Sequence, residues 1–304
     1  MQEAVSIGAS SLTVQSASSP STLTLPAQVE RILACPVCRS SFSVVGDEVR
    51  CQNAACGFVG LLAHGVVVLG DRAAVSFFDD RHAVMAAGNS QEGVRCLCYE
   101  DQSRVVEGLV KPGQIVLDVG CGPTLPYRKP PETFVIGVDA SYESIRANAS
   151  VDLRVYGSAL EAPLPDRSVD LVLAFYAVHH MTGQTLAENV RKLQRAITEL
   201  GRVVKPGGEL LVFEVSPWRP AWLAERLFWN TARRLLGKKL DMCFYTRAVY
   251  EQVGRAALPT ATLSVESFST SMLSTFPPAF SLPWLPIPRL LYPFDVNLYR
   301  WRLP

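Results

Sequence analysis

Four cysteines near the start of the chain have the types and spacing for metal chemistry. Cys35-Pro36-Val37-Cys38 and Cys51-Gln52-Asn53-Ala54-Ala55-Cys56 give C-x2-C, twelve intervening residues, then C-x4-C. Two thiol pairs at that separation suit a tetrahedral dication, and Zn2+ is the usual occupant of a four-cysteine set. Pro36 fixes one dihedral of the first knuckle. Ser41 to Val45 and Glu48 to Arg50 can form a hairpin about Gly46-Asp47, which brings the second pair within reach. So short a segment has little apolar area to bury, so a metal staple explains it better than four reduced thiols. All four positions are then filled and the ion is structural. Gly57 to Leu69 supplies further strands, with His64 beside Gly65 as a turn residue rather than a ligand. Cys96 and Cys98 lack a second pair and read as helix packing.

A second set lies mid-chain, where Ile115-Val116-Leu117-Asp118-Val119 runs into Gly120-Cys121-Gly122. Glycines there let the backbone turn sharply and let a ligand approach closely. Phe134 to Asp139 is another apolar run, ending in an acid placed to accept hydrogen bonds from ribose hydroxyls. Asp170 to Phe175 and Gly208 to Val215 follow at the intervals that parallel strands with helical crossovers require. The fold class is therefore α/β, with an open Rossmann-like sheet. After the run ending at Phe175 comes Tyr176-Ala177-Val178-His179-His180, at the carboxyl end where open sheets bind ligands. An imidazole there can take a proton from an oxygen or nitrogen nucleophile, making His179 and His180 the candidate catalytic residues. The alternative, a ring that is simply packed, stays open at this point.

These residues carry a family resemblance. Val116 to Gly122 resembles the first motif of class I S-adenosylmethionine-dependent methyltransferases of the type 11 kind. Gly137-Val138-Asp139-Ala140-Ser141 resembles the second, Leu164 to Asp170 the entry to the fourth strand, and Arg202 to Gly208 the turn before the fifth. The resemblance implies a seven-stranded methyltransferase sheet over the core and S-adenosyl-L-methionine as cofactor. Its binding residues would be Asp118, Gly120, Cys121, Gly122, Asp139, Ala140, Ser158, Ala159, Phe175 and Tyr176. It also implies a lid over the cofactor, with Phe77, Phe78, Tyr99 and Arg104 as candidates. Two positions depart from the pattern. Thr124 stands where a third glycine is usual, and Ser158 replaces the acid that receives the adenine amino group. Pro123, Pro126, Pro130 and Pro131 crowd the segment of the family's first helix, and proline is tolerated only in a helix's first turn. That helix is expected to be short or absent.

The chain of 304 residues has a formal net charge of +1, so no global field draws it to nucleic acid or an anionic membrane. No apolar run reaches the ~18 to 20 residues of a membrane span, and the N-terminus lacks the order of a signal peptide. A cytoplasmic protein is the expectation. Residues 1–27 read as a disordered leader, 28–70 as the zinc ribbon, 71–110 as a helical linker and lid, and 111–304 as the methyltransferase domain. Insertions at 217–240 and 270–293 would shape the acceptor pocket. Trp218 to Lys239 reads as an amphipathic helix, either a cap with a solvated basic face or a peripheral membrane contact. Thr260 to Thr270 and Phe294 to Trp301 alternate as a closing antiparallel hairpin. Five aromatics between Phe276 and Phe294 suggest an apolar wall. The expected activity is methyl transfer to a small molecule, an apolar metabolite or lipid-linked precursor. A ribosomal-RNA methyltransferase and a non-catalytic cofactor- or partner-binding protein are the alternatives.

Overall fold

The structure, a computed structural model, describes residues 20, 23–71, 79, 97–237, 240, 242–268, 275–276, 287–288 and 294–304. The leader up to residue 19, Phe77, Phe78, Cys96 and most of the Pro-rich stretch around Trp284 lie outside the described residues. So do the side chains of Tyr99 and Cys98.

The middle of the chain builds the expected sheet. β5 (Ile115–Val119), β6 (Phe134–Asp139), β7 (Leu153–Tyr156), β8 (Val169–Phe175) and β9 (Val204–Pro217) pair in parallel, in the order β7-β6-β5-β8-β9. All six residues of β6 are buried, as near-continuous apolar runs require when helices cover both faces. β13 (Phe294–Arg302) lies antiparallel on β9, and β10 (Thr262–Phe268) antiparallel on β13, completing seven strands. One face packs against α1 (Leu25–Ile32), α4 (Leu186–Val203) and α6 (Arg247–Ala257). The other packs against α2 (Leu97–Leu109) and α3 (Tyr142–Ala147). α4 is capped by Thr185, whose hydroxyl accepts from Glu188 N at 3.2 Å, while the Glu188 carboxylate accepts from Gln184 N, one residue before the cap, at 2.8 Å. No helix forms between β5 and β6, as the prolines dictate.

The ribbon forms as expected. β1 (Phe42–Val45) and β2 (Glu48–Cys51) turn about Gly46, and β3 (Val59–Ala63) and β4 (Val66–Val68) about His64-Gly65, both in the left-handed region. Its last strand is shared with the larger sheet. β4 pairs in parallel with β7, Val67 opposite Val155 and Val68 opposite Tyr156, so eleven strands form one sheet. The N–H groups of Leu69 and Gly70 both donate to Tyr156 O, at 2.9 and 3.1 Å. The expected boundary at residues 27 and 28 falls inside α1, whose Val29 is fully buried. Val29, Leu33, Phe42 and Val67 share one apolar cluster with Leu117, Ile136 and Leu153. Arg39 also pairs with Glu199 on α4 at 2.9 Å.

One core implies one unfolding unit. Every tryptophan lies outside the ribbon. Phe42→Ala, at a fully buried ribbon position, is expected to destabilise the transition seen by tryptophan fluorescence by about 3–5 kcal/mol. An unchanged tryptophan melt would make the ribbon an independent domain.

Candidate active site and cysteine cluster

The turn after β5 brings most of the mid-chain set together. Gly120 and Gly122 have φ of 66° and 60°. A Cβ on Gly120 would meet the Ala177 Cβ at 2.5 Å, so the loop after β8 can pass only over a glycine. Gly120 N donates to Val138 O at 2.8 Å, and Asn148 holds the Gly122 carbonyl at 2.8 Å. Asp139, at the end of β6, accepts from Gly122 N at 2.8 Å and Ser141 N at 2.7 Å. Burial pushes its carboxyl up to about 6, with those two N–H groups pulling the other way. Asp118 is buried, accepts the Tyr127 hydroxyl at 3.0 Å, and is pushed up to about 7, again by burial. Its other oxygen, Oδ1, is buried with no hydrogen-bond partner among the described residues.

Cys121 is buried beside these acids, and Ala140 follows Asp139 as an exposed residue. Ser158 caps a short 3-10 turn, Ala159–Glu161, its hydroxyl accepting from Leu160 N at 3.2 Å, and Ala159 is buried. Phe175 stacks on Phe213 at 4.3 Å between ring centroids, so its ring serves the core. Tyr176 has φ of 47°, a strained conformation for a bulky residue, and its hydroxyl donates to Gln102 on α2 at 3.0 Å. α2 therefore reaches the cleft through Gln102. Arg104 instead makes an exposed ion pair with Asp101.

His179 is buried, its ring 4.1 Å from that of His180 and 5.1 Å from that of Phe244. Glu214, which reads from the sequence as an ordinary strand residue, is completely buried in β9 and organises this corner. One carboxylate oxygen accepts from Val178 N at 3.0 Å and His179 N at 3.3 Å. The other meets His179 Nδ1 at 2.8 Å. A carboxylate at that nitrogen makes Nδ1 the protonated one and leaves Nε2 basic. His180 is partly exposed, and its backbone N–H donates to Ala177 O at 3.2 Å. A second acid comes from α5 (Arg219–Leu236). Glu225 accepts from Phe244 N at 2.8 Å and is pushed up to about 7, chiefly by burial. Glu214 stands 35 residues from His179, so no local signal announces their convergence.

α5 packs inward through few residues. Trp229 and Arg233 are its buried residues, the Trp229 indole donating to Met242 O at 3.1 Å. Arg233 caps the carbonyls of Gly237 and Leu240. The outward face is apolar as well as basic, with Leu227 73% and Leu235 79% exposed. Lys238 and Lys239 lie outside the described residues.

The four cysteines Cys35, Cys38, Cys51 and Cys56 converge, every sulfur within 4.8 Å of the others. Cys35 and Cys56 are 3.7 Å apart, Cys38 and Cys51 3.3 Å. A tetrahedral ion with Zn–S bonds of about 2.3 Å needs sulfurs about 3.8 Å apart, so the set fits. Arg39, at φ 64°, turns the first knuckle by donating its N–H to Cys35 O at 2.8 Å.

Raised carboxyls give the cleft a pH signature. Asp118 and Asp139 titrate near 7 and 6 in the folded chain, against ~4 unfolded. Between those values the native state holds more protons than the unfolded one, so these two groups lower stability as pH rises from about 4 to about 7. Asp118→Asn is expected to flatten that part of the melting-temperature profile. An unchanged profile would mean Asp118 is ionised throughout.

Residues 117–212 match the methyltransferase domain model. The chain is 34% identical over 113 residues to 27-O-demethylrifamycin SV methyltransferase of Amycolatopsis mediterranei, covering 33% of this chain and 38% of that one. It is 33% identical over 115 residues to tRNA (carboxymethyluridine(34)-5-O)-methyltransferase of Arabidopsis thaliana, 38% of this chain and 25% of the relative. With demethylmenaquinone methyltransferase of Symbiobacterium thermophilum it shares 30% over 153 residues, 46% and 55% of the two chains. The chain thus spans between a quarter and just over half of these relatives. A chain from the complex of the Haloferax volcanii Trm112 methyltransferase activator with a methyltransferase superposes with a TM-score of 0.50 at 19% identity, covering 75% of this chain and 98% of that one. That likeness is one of fold. With the motif order, the sheet and the domain match in agreement, residues 117–212 belong to the class I S-adenosylmethionine-dependent methyltransferases.

Proposed function

We propose that the protein transfers a methyl group from S-adenosylmethionine to an oxygen or nitrogen of an apolar small molecule, a metabolite or a lipid-linked precursor. The observation that carries this reading is the apolar corner beside the His179–Glu214 pair. There Val215 and Val296 form a small cluster with Tyr176, Phe244, Phe268 and Phe294. Apolar and aromatic linings with few polar groups suit small ligands.

Bound S-adenosylmethionine supplies the electrophilic methyl group. In this reading Asp139 accepts from the ribose hydroxyls, and the glycines at 120 and 122 let the backbone lie against the ligand. Asp118, whose Oδ1 lacks a partner among the described residues, answers the methionine ammonium. Cys121, Ala140, Ser158, Ala159 and Tyr176 complete the cleft wall. His179 takes the acceptor's proton at Nε2, with Glu214 fixing the ring. Orientation of bound reactants contributes up to about 7 to 11 kcal/mol, so one modest base is enough.

Label transfer tests the substrate class. With methyl-labelled cofactor and separate lipid, small-molecule and RNA extracts, label is expected in the organic-soluble fraction. His179→Asn should slow transfer by about 100- to 10,000-fold with cofactor affinity unchanged. Label in RNA would overturn the reading in favour of the second one, a nucleic-acid methyltransferase, which the tRNA relative and the ribbon favour. Against it, the ribbon's Arg39 and Arg50 are already paired with Glu199 and Glu48.

The ribbon is proposed to hold one structural Zn2+ on Cys35, Cys38, Cys51 and Cys56. Elemental analysis should find about one zinc per chain. Metal content unchanged by Cys51→Ser and Cys56→Ser together would assign the ion elsewhere.

A further inference from the structure

The outer face of α5 has no role in the chemistry described so far. Leu223, Leu227, Phe228 and Leu235 stand 52, 73, 66 and 79% exposed. Helical spacing gathers these side chains into one strip on the side opposite buried Trp229 and Arg233. Arg219, Arg226 and Arg234 are exposed along one flank of that strip, Arg226 lying toward Arg233 with its guanidinium 4.9 Å from the Trp222 ring centroid. The single acid of α5, Glu225, turns inward to Phe244 N. A contiguous apolar strip edged with arginines and free of acids is the signature of an interfacial helix.

We propose that α5 is a membrane-docking surface that lies in the headgroup layer of an anionic bilayer. Charge decides among the occupants. A second copy of this chain would bring another arginine-flanked strip against this one, with no acid on either to answer the arginines. Lipid phosphates answer them, and the acyl boundary takes the leucines and the phenylalanine. Among the described residues no helix is long and apolar enough to cross a membrane, so contact of this kind is peripheral. The arrangement also places the catalytic corner against the membrane. The inner face of α5 contributes Glu225 to the loop that carries Phe244, and Phe244 packs on His179.

Co-sedimentation of the full chain with vesicles tests this, using phosphatidylcholine alone and equal parts phosphatidylcholine and phosphatidylglycerol. No cofactor or acceptor is needed, so the result is separate from the methyl-transfer reading. Binding is expected to the anionic vesicles and to weaken with salt. Leu227→Ser with Leu235→Ser should lower partitioning by at least about tenfold. Arg226→Gln and Arg234→Gln should each lower it about fivefold. All four side chains are solvent-facing, and melting temperatures check that the variants fold. Failure to bind either vesicle overturns the proposal, as does binding that none of these substitutions changes. A concentration-dependent dimer that the leucine variant abolishes would make the face a self-association surface and also overturn it.

Discussion

The pairing of β4 with β7 is the constraint on which the remaining architecture depends. In an open sheet of this order β7 would be a free edge, presenting unpaired N–H and C=O groups that invite other chains. The ribbon supplies its partner, and Leu69 and Gly70 continue the contact by converging on the Tyr156 carbonyl. The exposed edge moves outward to β1, a strand of four residues whose Val44 N–H donates to Glu30 on α1 at 2.8 Å. Covering one edge thus opens another of the same length, which a helix side chain guards. The shared cluster of ribbon and sheet residues follows from the same pairing, because a segment as short as the ribbon has too little apolar surface to enclose a core of its own.

At the cleft, the cost of burying acids recurs and is met differently each time. Asp139 has two backbone N–H donors, Glu214 has two and a histidine ring, and Asp118 has one tyrosine hydroxyl. A buried carboxylate with few donors is expensive to ionise, and Asp118 is accordingly displaced further than Asp139. Tyr176 adds backbone strain at the same place. Such concentrations of cost are found where a ligand or a reaction repays them.

Much of this is legible in the sequence because the signals are backbone constraints. Gly120 and Gly122 are required by close approach and positive φ, and Gly46 and Gly65 mark turns that permissive residues make most easily. The prolines after Gly122 exclude a helix by missing N–H groups alone. The β4–β7 pairing is not legible, since Val66-Val67-Val68 is a generic apolar run whose partner lies in another motif. Glu214 is hidden for a similar reason: an acid in a strand reads as surface until the fold brings His179 to it. The orientation of α5 is equally obscure, because its apolar residues surround most of the helix and only packing shows that Trp229 and Arg233 face inward.

The ribbon's place ahead of the sheet in sequence has a consequence for synthesis. β4, with all three residues buried in the finished protein, emerges from the ribosome long before its partner. Val155 follows Val67 after about ninety residues, a delay on the order of ten seconds at ordinary elongation rates. During that interval the nascent chain carries an unpaired apolar edge, and the correct partner must reach it before a wrong one does. The first folding hazard of this protein is therefore a matter of timing, set by the order in which its strands are made.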